Sequence, residues 1–205
     1  MNKKLIHIMM LTLYVGISGL PMVQASGSHN RTEVVNTDAG NIDFIFTHYV
    51  KFPGVFHKIN HINLDDRVVD LEDGSRWSIS KTTLVKGWEK SKNLIITQNH
   101  SNFSTSRYAL VNADLKLAVP ASLIREPAPA HGVSYVKAVD RVNDIITLSD
   151  GKNWIVHSSD RGTLSKITEH DRIIVGANTG ENKEKSPYLL INTSNNHYVR
   201  AHHIE

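Results

Sequence analysis

Phe56 to Ile79 reads FHKINHINLDDRVVDLEDGSRWSI, and Val133 to Val156 reads VSYVKAVDRVNDIITLSDGKNWIV. Starting at Phe56 and Val133, the two stretches align without a gap. Ile59 meets Val136, Ile62 meets Val139, Val68-Val69 meets Ile145-Ile146, and Leu71 meets Leu148. Asp73-Gly74 meets Asp150-Gly151, and Trp77 meets Trp154. Further on, Leu94-Ile95-Ile96 answers to Ile173-Ile174-Val175, and Tyr108 to Asn112 answers to Tyr188 to Asn192. Lys116-Leu117-Ala118 is set against Val199-Arg200-Ala201. One match could arise by chance, but an ordered series with small gaps reads as one unit of about 70 residues copied once. The copies are placed at 56–124 and 133–205, joined by a Pro-rich linker at 125–132 (Arg125 to Gly132). Its two prolines, Pro127 and Pro129, stiffen the chain and remove ladder donors.

The landmarks are strand-like, being short β-branched or aliphatic runs bounded by turn residues. The predicted fold class is all-β: two tandem small antiparallel β-barrels, each closed to limit exposed edges. Short helices or turns are expected only near Leu84 to Lys90 and Gly162 to Thr168. Each Asp-Gly marks a hairpin. The apolar pattern favours an odd loop centred on Gly74, with Leu71 opposite Trp77 and Val69 opposite Ile79. The second copy would set Leu148 opposite Trp154 and Ile146 opposite Val156. Both tryptophans are then expected in the core.

Residues 1–25 read as a secretory signal peptide. Lys3 and Lys4 form a basic start, Leu5 to Leu20 is mostly apolar, Pro21 breaks it, and Val23-Gln24-Ala25 suits cleavage. An uncleaved anchor is the alternative. Residues 26–55 form an N-terminal arm, partly disordered, with a strand expected where Ile42, Phe44 and Phe46 alternate with their neighbours. The expected location is periplasmic or secreted, with no membrane contact after cleavage. Apolar residues at 40% and charged residues at 21% exclude a disordered tail and a multi-span membrane protein. Of 23 basic residues, removing Lys3 and Lys4 leaves 21 against 20 acids, which excludes a strongly basic nucleic-acid binder. With no cysteine, disulfides, thiol nucleophiles and a lipoprotein anchor are excluded.

Twelve histidines invite a metal reading, yet no HExxH or HxH spacing occurs. His57 and His61, four apart on a strand, stand about 13 Å from each other, too far for one ion. His57 and His61, with His100, His131, His157, His170, His197, His202 and His203, are read as scattered surface groups. No G-x-S-x-G elbow or phosphate-binding glycine loop is present. Asp65-Asp66, Glu72-Asp73, Asp140, Asp144 and Asp150 are read as turn acids rather than a glycosidase pair. Asn112 and Asn192 are read as turn asparagines bonding nearby backbone. Gly176 to Lys185 is read as an exposed polar loop. No catalytic, cofactor-binding or metal-ligating residue is nominated.

The spacing Leu71-x-Asp73-Gly74-x-x-Trp77, Leu94-Ile95-Ile96 and Tyr108-x-x-Val111-Asn112, with its second-copy counterpart, resembles uncharacterised exported repeat proteins of host-associated bacteria. Their pattern DGs-x-W…GD-x-v-x-i…Y-x-LiN…v-x-A recurs in small all-β units, SH3-like in size. His170-Asp171 keeps the Gly-Asp acid, whereas Ser91-Lys92 departs from it. The resemblance implies a fold and no activity. The expected function is therefore a non-enzymatic tandem binding or structural module without cofactor. Its partner would be a protein, a peptide or a cell-wall glycan, and not nucleic acid. An envelope hydrolase with a site between the units, or a histidine-based metal binder, are the alternatives.

Overall fold

The computed structural model describes residues 55–88, 93–100, 104–129 and 133–204. The signal peptide, the arm up to residue 54 and the strand expected near Phe44 lie outside the described residues, as do positions 130–132 of the linker. Thirteen strands form one sheet. They are β1 (Phe56–His57), β2 (Ile59–Asn63), β3 (Val68–Leu71), β4 (Arg76–Ile79), β5 (Leu94–Gln98), β6 (Tyr108–Asn112) and β7 (Leu117–Arg125) in the first half. The second half carries β8 (Val136–Asp140), β9 (Ile145–Leu148), β10 (Asn153–Val156), β11 (Ile173–Ala177), β12 (Tyr188–Asn192) and β13 (His197–Ile204). The chain is all-β. Its helical pieces overlap the expected stretches and begin a few residues earlier: 3-10 turns at Thr82–Leu84 and Ser158–Asp160, and the one-turn helix α1 (Arg161–Leu164). Among the described residues no helix is long and apolar enough to cross a membrane.

Each Asp-Gly does make a hairpin, and its loop is odd, but the centre is the aspartate. Val69 faces Trp77 and Ile146 faces Trp154, two positions away from the expected partners. Gly74 donates to the Leu71 carbonyl and Leu71 to that of Ser75, with Gly74 at φ +82°. Gly151 repeats this at φ +83° with Leu148 and Lys152. This is a three-residue loop whose last position must be left-handed, which is why glycine stands there. The face assignment survives because the shift is even: Trp77 is 0% exposed and Trp154 1%.

The two halves run through the same pairing order. The first half reads β2-β3-β4-β7-β6-β5, and the second, taken inward from its own edge, β8-β9-β10-β13-β12-β11. β1 pairs with β5, and after Lys58 the chain enters β2, which pairs with β3, so the first ladder returns on itself. In the second half Tyr135 bridges Arg172 just ahead of β11. Backbone irregularities coincide too. Arg67 and Asp144 sit at φ +57° and +58°, and Lys116 and Asn196 at +55° and +56°. The outermost strands both break register early, between Ile59 and His61 and between Val136 and Ala138. Such bulges blunt an open edge. One expected match is wrong: Tyr108 faces Ala121 and Tyr188 faces Ala201, so Ala121, not Ala118, is the counterpart of Ala201.

β5 and β11 meet at the middle of the sheet through a single parallel bridge, Thr97 with Ala177. Every residue of β5, β6 and β11 is buried, and only Tyr188 of β12 is not fully so. The cause is period-two alternation with apolar surface on both sides. Leu94, Ile96, Tyr108 and Leu110 line the first core, around Trp77 and Trp88, whereas Ile95 and Val111 point into the second. Reciprocally, Ile173, Val175 and Leu190 line the second core around Trp154, whereas Ile174, Leu189 and Ile191 complete the first. Neither core is made by one half alone.

Candidate functional site

The junction of the halves carries a connected set of buried polar side chains. At Gly176 an added Cβ would lie 2.5 Å from the Ile96 carbonyl oxygen, so glycine is what lets β11 approach β5. Beyond the bridge the apolar runs end in Thr97-Gln98 and Asn178-Thr179. Gln98 Nε2 donates to Asn178 Oδ1 at 2.7 Å, and Thr179 N donates to Gln98 Oε1 at 2.9 Å. The Thr97 and Thr179 hydroxyls stand 2.6 Å apart, and His100 Nε2 is 3.1 Å from the latter. Asn178 Nδ2 donates to the Ser186 carbonyl at 2.7 Å. The segment from Gly176 is therefore not an exposed loop at its start: Asn178 and Thr179 are buried. On the far side, His57 Nε2 donates to the Val175 carbonyl at 3.0 Å, so this histidine is a buried bridge rather than a surface group. Arg107 donates to the Asn196 carbonyl at 2.8 Å, and Tyr108 does so through its hydroxyl at 3.1 Å. Burial pushes the Tyr108 phenol far above its ordinary value, with Arg107 opposing.

The carboxylates serve turns and ion pairs. Asp70 is held low chiefly by its bond to Arg76, with burial opposing and Arg125 adding attraction. Asp160, which burial alone would raise, is held low by the Arg200 guanidinium at 2.7 Å. Asp140 caps its own turn through Val142 N and Asn143, and Asp150 pairs with Lys152. Asn63 caps the matching turn of the first half with the chemistry reversed, its amide donating to Asp66. Asn112 and Asn192 accept from backbone N–H of Leu115 and Ser194, which matches the turn reading. His157 caps the 3-10 turn at Ser159, His197 contacts Arg107, and His203 lies edge-on to Trp154. Among the described residues no group of three His, Asp or Glu could hold a metal ion.

One open concavity, of about 560 Å³, is lined by Pro129, Val133, Tyr135, Ser149, His170 and Arg172. The end of the linker, the start of the second half and the approach to β11 build it. Tyr135 is positioned by its bridge to Arg172 and by its backbone N–H, which donates to Ser149 Oγ at 3.2 Å. His170 stands with its ring centroid 6.3 Å from that of Tyr135, from a left-handed backbone at φ +71°. Arg172 Nη1 donates to Glu126 Oε2 and to the Pro127 carbonyl, both at 3.2 Å. The described part of the linker is thus fastened: Pro127 is buried, Ala128 N donates to the Asp73 carbonyl, and Arg125 still belongs to β7.

The sequence nominated no residue of this groove. The signal available was the difference between the two aligned stretches: Lys58 and Glu72 stand where the second half has Tyr135 and Ser149. That first-half pair forms a 3.3 Å salt bridge. Compared with known proteins, the chain matches no family model, no curated protein and no solved structure.

Proposed function

We propose that this chain is an exported, non-catalytic binding module made of two copies of one small β-barrel, and that the groove beside Tyr135 receives its ligand. The two-copy reading is supported by the coincidence of left-handed residues and turn bonds in the two halves. Export rests on the pattern of residues 1–25. The observation that carries the function is the groove itself: an aromatic ring partly in solvent, next to polar groups held by hydrogen bonds. The intended partner belongs to the envelope or its surroundings: a cell-wall glycan, a peptide or a protein. Co-sedimentation of the purified chain with bacterial cell walls, and capture of envelope peptides, test this. Saturable binding without release of soluble sugar or peptide is expected. Turnover of the wall, or no binding to any envelope component, would contradict it.

A further inference from the structure

We infer that the second-half groove is a site for a neutral oligosaccharide, one sugar ring lying on Tyr135 and its hydroxyls meeting the Arg172–Glu126 pair. The inference rests on the binding-module reading and names its ligand class. Among the described residues the large exposed apolar side chains are Leu64, Leu115, Ile124, Val142 and Tyr135, and of these only Tyr135 has a ring. At 45% exposure it offers part of its apolar ring to solvent, beside the His170 ring at 6.3 Å between centroids. Around it stand polar groups of mixed sense. Arg172 spends only Nη1 on Glu126 and Pro127, so among the described residues its Nε and Nη2 donors bond nothing. Glu126 accepts there with one oxygen, leaving the other as an acceptor.

Charge decides the ligand class. Arg172 and Glu126 cancel each other, so an anionic or cationic ligand finds repulsion beside its attraction. A sugar hydroxyl both donates and accepts, and neighbouring hydroxyls can meet the guanidinium and the carboxylate together. The volume, about 560 Å³, falls in the range of small-ligand sites and admits a short oligosaccharide. At the matching positions of the first half Lys58 and Glu72 pair with each other instead, so the one inferred site lies in the second half.

The test is calorimetric titration of the full chain with chitotriose, the neutral trimer of N-acetylglucosamine. The expected result is one site, weakened at least about tenfold by Tyr135→Ala and by Arg172→Gln, and unchanged by Lys58→Ala. Matching unfolding midpoints for these variants would show that folding is intact. Unchanged affinity in Tyr135→Ala overturns the inference, as does a glutamate-rich peptide that binds in preference to chitotriose. Wall binding that persists while chitotriose gives no heat also overturns it, yet leaves the binding-module reading standing. If neither wall nor chitotriose binds, both fall.

Discussion

The first and second halves share a backbone plan and differ in what they do with polar side chains. In the second half Asn192 donates to Asp171 at 2.6 Å, whereas the equivalent Asn112 Nδ2 is buried with no partner among the described residues. Where the second half leaves Tyr135 in solvent, the first pairs Lys58 with Glu72. Where the first half ties Asp70 to Arg76 and Arg125, the second has Thr147 bonded to Asn153. Positions set by turn geometry and alternation are alike, since backbone strain and burial punish change there. Positions facing solvent differ, and the groove lies in the half that carries an exposed ring.

The largest expected effects test how far the halves are one body. Trp77→Ala or Trp154→Ala should each cost about 3–5 kcal/mol, because a fully buried indole leaves a cavity. Sequence alone suggests that each loss would unfold only its own unit. The crossed cores predict that either variant lowers a single transition for the whole chain, which scanning calorimetry would register. Gly176→Ala should follow at about 1–3 kcal/mol, since its Cβ meets the backbone of β5. Gly162→Ala, with nothing within 4 Å, should leave the melting temperature near that of the parent.

Smaller effects sharpen the contrast in polar chemistry. Gln98→Ala leaves Asn178 and the Thr179 N–H short of partners and should cost about 1–2 kcal/mol by urea titration. Asp70→Asn should cost about 1 kcal/mol, discounted because Arg76 is only half-buried and Arg125 is exposed. Its folded pKa is depressed below the ordinary 3.8, so its contribution is present above that value and is lost as pH falls through the lower folded one. The variant should therefore differ from the parent at neutral pH and converge with it in acid. Tyr108 works in the opposite direction. Its folded pKa is raised, so stability should be full below pH 10 and fall as pH climbs beyond the ordinary 10.0. Asn192→Ala should cost up to about 1 kcal/mol more than Asn112→Ala, because only the former loses a carboxylate partner.

Strands, hairpins and buried tryptophans were legible because they follow from alternation and from Asp-Gly. The loop centre was missed by one residue, since parity alone does not separate Asp73 from Gly74 and the left-handed glycine closes the loop rather than heading it. The crossed cores leave a trace in the sequence. Leu94 to Ile96 and Ile173 to Val175 lack the polar alternation of Arg76–Ile79, as strands covered on both faces should. The polar junction was hidden by its composition. Asn178 and Thr179 look like loop residues, and only the partner strand from the other half, ending in Thr97 and Gln98, makes them interior. The groove was hidden for a related reason: Tyr135, His170 and Arg172 are brought together by a bridge across the sheet and by the linker.

The central claim is that two similar halves are held as one body by cores that each needs the other to complete. Trp154 alone reports the second half in a Trp77→Phe, Trp88→Phe variant, and Trp77 with Trp88 report the first in Trp154→Phe. Urea unfolding of each variant, followed by indole fluorescence and by far-ultraviolet circular dichroism, is the direct measurement. Within each variant, the indole transition of one half should coincide with the circular dichroism transition of the whole. An indole transition displaced from the whole-chain signal, with one half lost while the other stays folded, would contradict the account.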